Sequence, residues 1–226
     1  MPLAQIYPLK PMLSSLDDLD RKFNARLNLL DSSFQRAVSK RSVSSRADRC
    51  YLQEGLISTL WQTWCFAVRS IIIQSVRGAA TATGLITTSP HAARSEGELA
   101  FIAARLARNQ PINTIQPLAG SHMEPTWGDL NKIPLIANGF GLSNGNSLAT
   151  SLSSPGSVSD LQMCRNACAH LNKDRINDLK SAKIKYSDTS MNHPSDMIYW
   201  TEPNSGTMLW QLWTDEMRIV YTIACQ

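Results

Sequence analysis

One short run in this chain combines residue types that move protons with residue types that bind phosphate: Arg165-Asn166-Ala167-Cys168-Ala169-His170. A neutral imidazole takes a proton near pH 7, a guanidinium clamps a phosphate through two hydrogen bonds, and a carboxamide orients either group. Together they form a minimal set for cutting a phosphodiester without a metal ion. On a helix, Asn166 and His170 are four residues apart and share a face, nearly opposite the stripe formed by Leu161, Cys164, Cys168 and Leu171. Arg165 lies about 140° around the axis from His170, within the swing of its long side chain. The expectation is therefore an outward-facing His170, with the two cysteines packed in the core. A zinc set of Cys164, Cys168 and His170 is disfavoured, because the histidine projects away from the stripe and no fourth ligand is evident.

The elements that must position this run read as helices. Leu16, Leu19, Phe23, Leu27, Leu30, Phe34 and Val38 recur at steps of three and four, which predicts an amphipathic helix over 13–38 with acids early and bases late. A second, longer helix is predicted from Arg46 to Arg77, ending at Gly78. Its apolar residues cover more than one face, the mark of a buried central helix. Further helices are predicted at 95–108, 126–138, from a helix-start box at Ser157–Asp160 to about Leu171, and at 206–224. Residues 139–156, rich in Gly, Ser and Asn, read as an exposed connection with one helical turn near 146–152. Lys173–Tyr186 reads as a basic amphipathic stretch, and Met197–Trp200 as a few extended residues. The C-terminal helix carries a second apolar face with Trp210, Met217 and Val220. No strand pattern is sustained, so the fold class is all-α: one domain over 1–226, a bundle of four to six main helices with a long buried second helix and a C-terminal helix.

Composition is that of a globular chain, with 43% hydrophobic and 18% charged residues and a net charge of +4. The charge is uneven. Residues 1–110 hold 14 basic and 8 acidic side chains, whereas residues 111–226 hold 8 and 10. Two basic clusters stand out: Arg36, Lys40, Arg41, Arg46 and Arg49 around the first interhelical turn, and Lys173, Arg175, Lys180, Lys183 and Lys185 directly after the motif. Each reads either as a phosphate-backbone contact or as a solvated helix end. Five cysteines, an odd number, point to a reducing, cytoplasmic setting, and Arg69 interrupts the one apolar stretch that approaches a membrane span. Phosphate-loop, dinucleotide, nucleophile-elbow and zinc-protease patterns are absent, so no cofactor is expected.

The motif, on a late helix of an all-α chain that begins with two long helices, resembles the HEPN superfamily (higher eukaryote and prokaryote nucleotide-binding domain). The family pattern is an Arg, four to six intervening residues and a His, commonly with a polar residue directly after the Arg. Arg165, Asn166 and His170 match it, and the second helix with Trp61 and Trp64 resembles the family's central helix. The resemblance implies a metal-independent endoribonuclease, often a toxin or antiviral effector, in which two protomers pair so that their motifs face each other. His170 would be the general acid/base, Arg165 would bind the scissile phosphate and Asn166 would orient either. The implied products are a 2′,3′-cyclic phosphate and a 5′-hydroxyl. The implied partners are RNA, a second copy of the chain, and an antitoxin or defence-complex subunit. Lys173, Arg175, Lys180, Arg46 and Arg49 are the expected RNA contacts. The alternative is a non-catalytic helical interaction module, to which the second apolar face of the C-terminal helix points.

Overall fold

A computed structural model of the chain describes residues 15–226. Among the described residues there are eight α-helices: α1 (Leu16–Ser39), α2 (Arg46–Val76), α3 (Glu96–Leu106), α4 (Ile133–Gly139), α5 (Gly145–Ser153), α6 (Gly156–Ala169), α7 (Lys173–Ala182) and α8 (Leu209–Ala224). Short 3₁₀ turns occur at Ser121–Met123, Lys183–Lys185 and Pro194–Tyr199. Among the described residues there is no strand, only isolated bridges such as Thr201 with Met208. The all-α class follows from the period of the apolar residues. The part of the first predicted helix before residue 15 lies outside the described residues.

Helix α2 is the centre of the bundle. By length and composition it could cross a membrane, yet Leu56, Ile57, Leu60, Trp64, Val68, Ile71 and Ile72 are buried against protein. It packs on α1, on α6 and on the 194–199 turn. Ser45 caps its start by accepting from the Asp48 N–H at 3.1 Å. Gly78, at φ +86°, turns the chain out of its end. Arg69, the charge in mid-helix, is matched by Glu124 at 2.7 Å and Glu96 at 2.9 Å. Those two carboxylates bind α3 and the long 111–132 connection to α2. Trp127 donates to the same Glu124 at 2.7 Å.

Helix α8 lies inside the bundle, against α1, α5 and α6. Leu209, Trp210, Trp213 and Met217 are fully buried and Val220 nearly so. The second apolar face that suggested a docking surface is therefore core, and the exposed apolar residues of this helix are Ile219 and Ile223. Asp31 of α1 joins the two helices, accepting from Trp210 Nε1 at 2.9 Å and from the Arg218 guanidinium.

Several sequence expectations are corrected. The helix expected over 126–138 begins only at Ile133, because Pro134 lacks an N–H and is tolerated only in a first turn. Residues 145–153 form a nine-residue helix that packs on α4 and buries Leu148 and Leu152. The expected connection is thus an amphipathic helix that buries Gly145, Leu148, Ala149 and Leu152 while Asn146, Ser147 and Thr150 stay exposed. Met197–Tyr199 belong to a 3₁₀ turn, and only Trp200, the residue that ends it, is extended. The expected helix-start box at Ser157–Asp160 does not form. Ser157 instead gives its N–H and hydroxyl to Glu216 of α8, at 3.1 and 2.7 Å. Asp160 is only 2% exposed, accepting from the Tyr186 hydroxyl and from Lys185 Nζ at 3.2 Å.

Candidate functional site

The motif lies on the last turn of α6 and the residue beyond it. Leu161, Cys164 and Ala167 seat this helix in the core. Arg165 and Asn166, on its other side, are half-buried, and Arg165 donates to Asn166 Oδ1 at 3.1 Å. Arg165 also lines a cavity of about 180 Å³ between α6 and α2, together with Glu54, Ile57, Ser58, Cys168 and Ala169. The guanidinium is thus placed by its neighbour in sequence and by the wall of α2.

Helix α6 stops at Ala169, two residues earlier than expected. His170 is its C-cap, with φ −136° and ψ 79°, and its N–H still reaches Asn166 O at 2.9 Å. Asn172 starts α7 by accepting from the Arg175 N–H at 3.0 Å, so residues 170–172 serve the turn between two helices. The backbone leaves the helical conformation at His170, so this residue ends α6 instead of lying within it. His170 is exposed, and its ring makes no hydrogen bond or ion pair among the described residues. Leu171, expected in the buried stripe, is 65% exposed for the same reason.

Cys164 and Cys168 behave as packing residues. Burial, reinforced by the neighbouring Cys168, pushes the Cys164 thiol well above the usual thiol range, and its Sγ lies 3.5 Å from Pro194 O. Among the described residues no group of three or more His, Cys, Asp and Glu is arranged to hold a metal ion.

The two basic clusters fare differently. Lys173, Arg175 and Lys180 are exposed on α7, the two lysines on one side and Arg175 on the other, where it pairs with Asp178 at 3.3 Å. Lys185 is committed to Asp160, and Lys183 sits 5.8 Å from the centre of the Trp200 ring. The cluster at the α1–α2 turn is more organised. Arg41, Arg46 and Arg49 line a polar cavity of about 190 Å³, closed on its far side by Asn192, His193 and Asp196.

Sequence motifs do not single out His193, yet the fold builds a relay around it. Its Nε2 lies 3.3 Å from Glu54 Oε1, and its Nδ1 lies 2.9 Å from Ser195 Oγ. Ser195 Oγ, fully buried, donates to Gln53 Oε1 at 2.7 Å. His193 Nδ1 also accepts from the Ser195 N–H at 3.3 Å. Asp196 accepts from the N–H groups of Asn192 and His193, both at 2.9 Å, which fixes the loop before the 3₁₀ turn. Glu54 lines the Arg165 cavity while contacting His193, so the two cavities share one wall of α2. The signal in the sequence is local: His193-Pro194-Ser195-Asp196 has the form of a capped helical start, with Pro in the first turn and an acid three residues on.

Comparisons with known protein families, with curated proteins and with solved structures yield no match to this chain.

Proposed function

We propose that this chain is a cytoplasmic RNA-cleaving protein of the HEPN kind, working as a pair of protomers without a catalytic metal. The observation that supports this reading is the end of α6: Arg165 held by Asn166 against α2, and five residues on, an exposed imidazole whose ring has no partner among the described residues. A histidine in that state is free to meet a substrate oxygen, and a half-buried guanidinium keeps its charge where phosphate can reach it.

In the proposed reaction the imidazole of His170 takes the proton of an RNA 2′-hydroxyl. The 2′-oxygen attacks the adjacent phosphorus, and the P–O5′ bond breaks. The leaving 5′-oxygen receives a proton from an imidazolium, for which His170 of the partner subunit is the natural source. The products are a 2′,3′-cyclic phosphate and a 5′-hydroxyl. Arg165 neutralises charge gathering on the nonbridging oxygens, and Asn166 fixes the guanidinium. Lys173, Arg175 and Lys180 would guide the strand toward this end of the bundle.

The test is cleavage of total RNA by purified protein in EDTA, comparing wild type with His170→Ala. The variant is expected to lose about 10²–10⁴-fold in rate, the usual contribution of a positioned acid/base group. Its melting temperature should not change, since the ring supports nothing in the fold. Undiminished cleavage by the variant, or strict dependence on Mg²⁺, overturns the proposal.

A further inference from the structure

Beyond the RNA-cleavage reading, and independently of it, we infer that the polar cavity between the start of α2 and the 190–196 loop is a binding site for a phosphomonoester group. Three guanidiniums, Arg41, Arg46 and Arg49, line it against a single carboxylate, Asp196. None of the three arginines lies within 4 Å of a carboxylate oxygen among the described residues. Asp196 is already occupied by the N–H groups of Asn192 and His193. Two positive charges are left unbalanced, which complements the charge of about −1.5 to −2 on a phosphomonoester at neutral pH.

The arginines are held in place rather than dangling. Arg49 Nη1 donates to Ser44 O at 2.8 Å and to Arg41 O at 3.2 Å. Arg46 reaches across the cavity to Asn192 O at 3.3 Å. Arg41 stacks over the Tyr199 ring at 4.1 Å. Each guanidinium keeps further N–H groups unspent, because it carries five donors. The α2 cap itself is filled by Ser45 and Asp48, so the site rests on side chains and not on the helix terminus. Behind it, the buried Gln53–Ser195–His193 relay stiffens the wall.

Size and lining narrow the ligand. At about 190 Å³ the cavity is smaller than the roughly 300–1,000 Å³ of sites that enclose a whole small molecule. Its lining is mostly polar, and it opens to solvent. A terminal phosphate fits, with the remainder of the molecule outside. That phosphate belongs either to a free nucleotide or to the 5′ end of an RNA strand.

Calorimetric titration of the full chain with inorganic phosphate, with adenosine monophosphate, and with one RNA oligonucleotide bearing either a 5′-phosphate or a 5′-hydroxyl distinguishes these sources. To keep cleavage apart from binding, the oligonucleotide carries 2′-O-methyl groups. Phosphate-dependent binding is expected, weakened at least about tenfold by Arg46→Gln and by Arg41→Gln, the loss of one charge-assisted contact. Arg108→Gln removes the same charge from an exposed site elsewhere and should leave binding unchanged. Preference for the 5′-phosphorylated strand over the free nucleotide assigns a strand end, and the reverse assigns a nucleotide. Equal affinity for both strand ends with no binding of phosphate or nucleotide overturns the inference. So does phosphate binding that Arg46→Gln and Arg41→Gln leave intact.

Discussion

Asp160 is a carboxylate sunk in the core side of α6, and removing its charge gives the most quantitative test of how that helix is anchored. Its side chain is 2% exposed and holds the Tyr186 hydroxyl and Lys185 Nζ. Lys185 keeps 54% of its own side chain in solvent, so its ion pair contributes at most about 1 kcal/mol. The phenol donating to a charged acceptor contributes about 1.5–3 kcal/mol. Asp160→Asn preserves shape and one acceptor oxygen but loses the charge, so a loss of about 1.5–3 kcal/mol is expected. For a chain of this length that corresponds to a drop of roughly 3–12 °C in melting temperature. Tyr186→Phe should cost a similar amount, because it leaves the buried carboxylate with Lys185 alone. Urea denaturation of both single variants and the double variant gives the coupling energy, expected to exceed about 1 kcal/mol. If the two costs add to within about 0.5 kcal/mol, the two side chains do not act as a unit and this account of the anchor fails.

The same bond makes a pH prediction with a definite sign. Burial, helped by the hydrogen bond to Asp160, holds Tyr186 well above the ordinary phenol range. Its stabilisation is fully present below about pH 10, the value of an unfolded phenol, and is lost as pH rises from there toward the folded-state value. Tyr186→Phe therefore lacks part of the alkaline slope seen in wild type. Tyr221, raised by its own burial, contributes its share to both proteins.

Three further outcomes are expected. Asp31→Ala leaves the Trp210 indole N–H without its acceptor and removes the carboxylate partner of Arg218, which keeps only its bonds to Asn24, at a cost of about 2–4 kcal/mol by urea denaturation, whereas Asp31→Asn keeps an acceptor and costs less. Gly128→Ala places a Cβ 2.7 Å from Trp64 Cδ1 and 2.8 Å from Cys65 Sγ, so overpacking should destabilise the fold by about 1–3 kcal/mol in thermal unfolding. Burial pushes the Cys65 thiol up to about 11 and holds Cys164 well above its usual range, so at pH 8 neither should be alkylated in the folded protein at the rate seen after denaturation, as read by mass spectrometry.

Local patterns in the sequence determine much of this protein. The three-and-four spacing from Leu16 to Phe34 and the many-sided apolar surface from Leu56 to Ile72 specify α1 and a buried α2, because removing a continuous apolar face from water is the dominant driving force of folding. The same patterns fix the all-α class and draw attention to Arg165, Asn166 and His170. What they do not fix is where a helix stops when neighbours compete for it. Helix α6 ends at Ala169 because Asn172 caps the next helix, Ser157 turns to Glu216 instead of a local cap, and Leu148 and Leu152 become core because α4 and α8 pack on their helix. The polar cavity is wholly tertiary. Arg41, Arg46 and Arg49 meet Asn192, His193 and Asp196 across some 140 residues of chain, and only the packing of the 194–199 turn on α2 brings guanidiniums and imidazole to one wall. A residue's type carries its chemistry, but its partners are set by long-range packing that no local periodicity encodes.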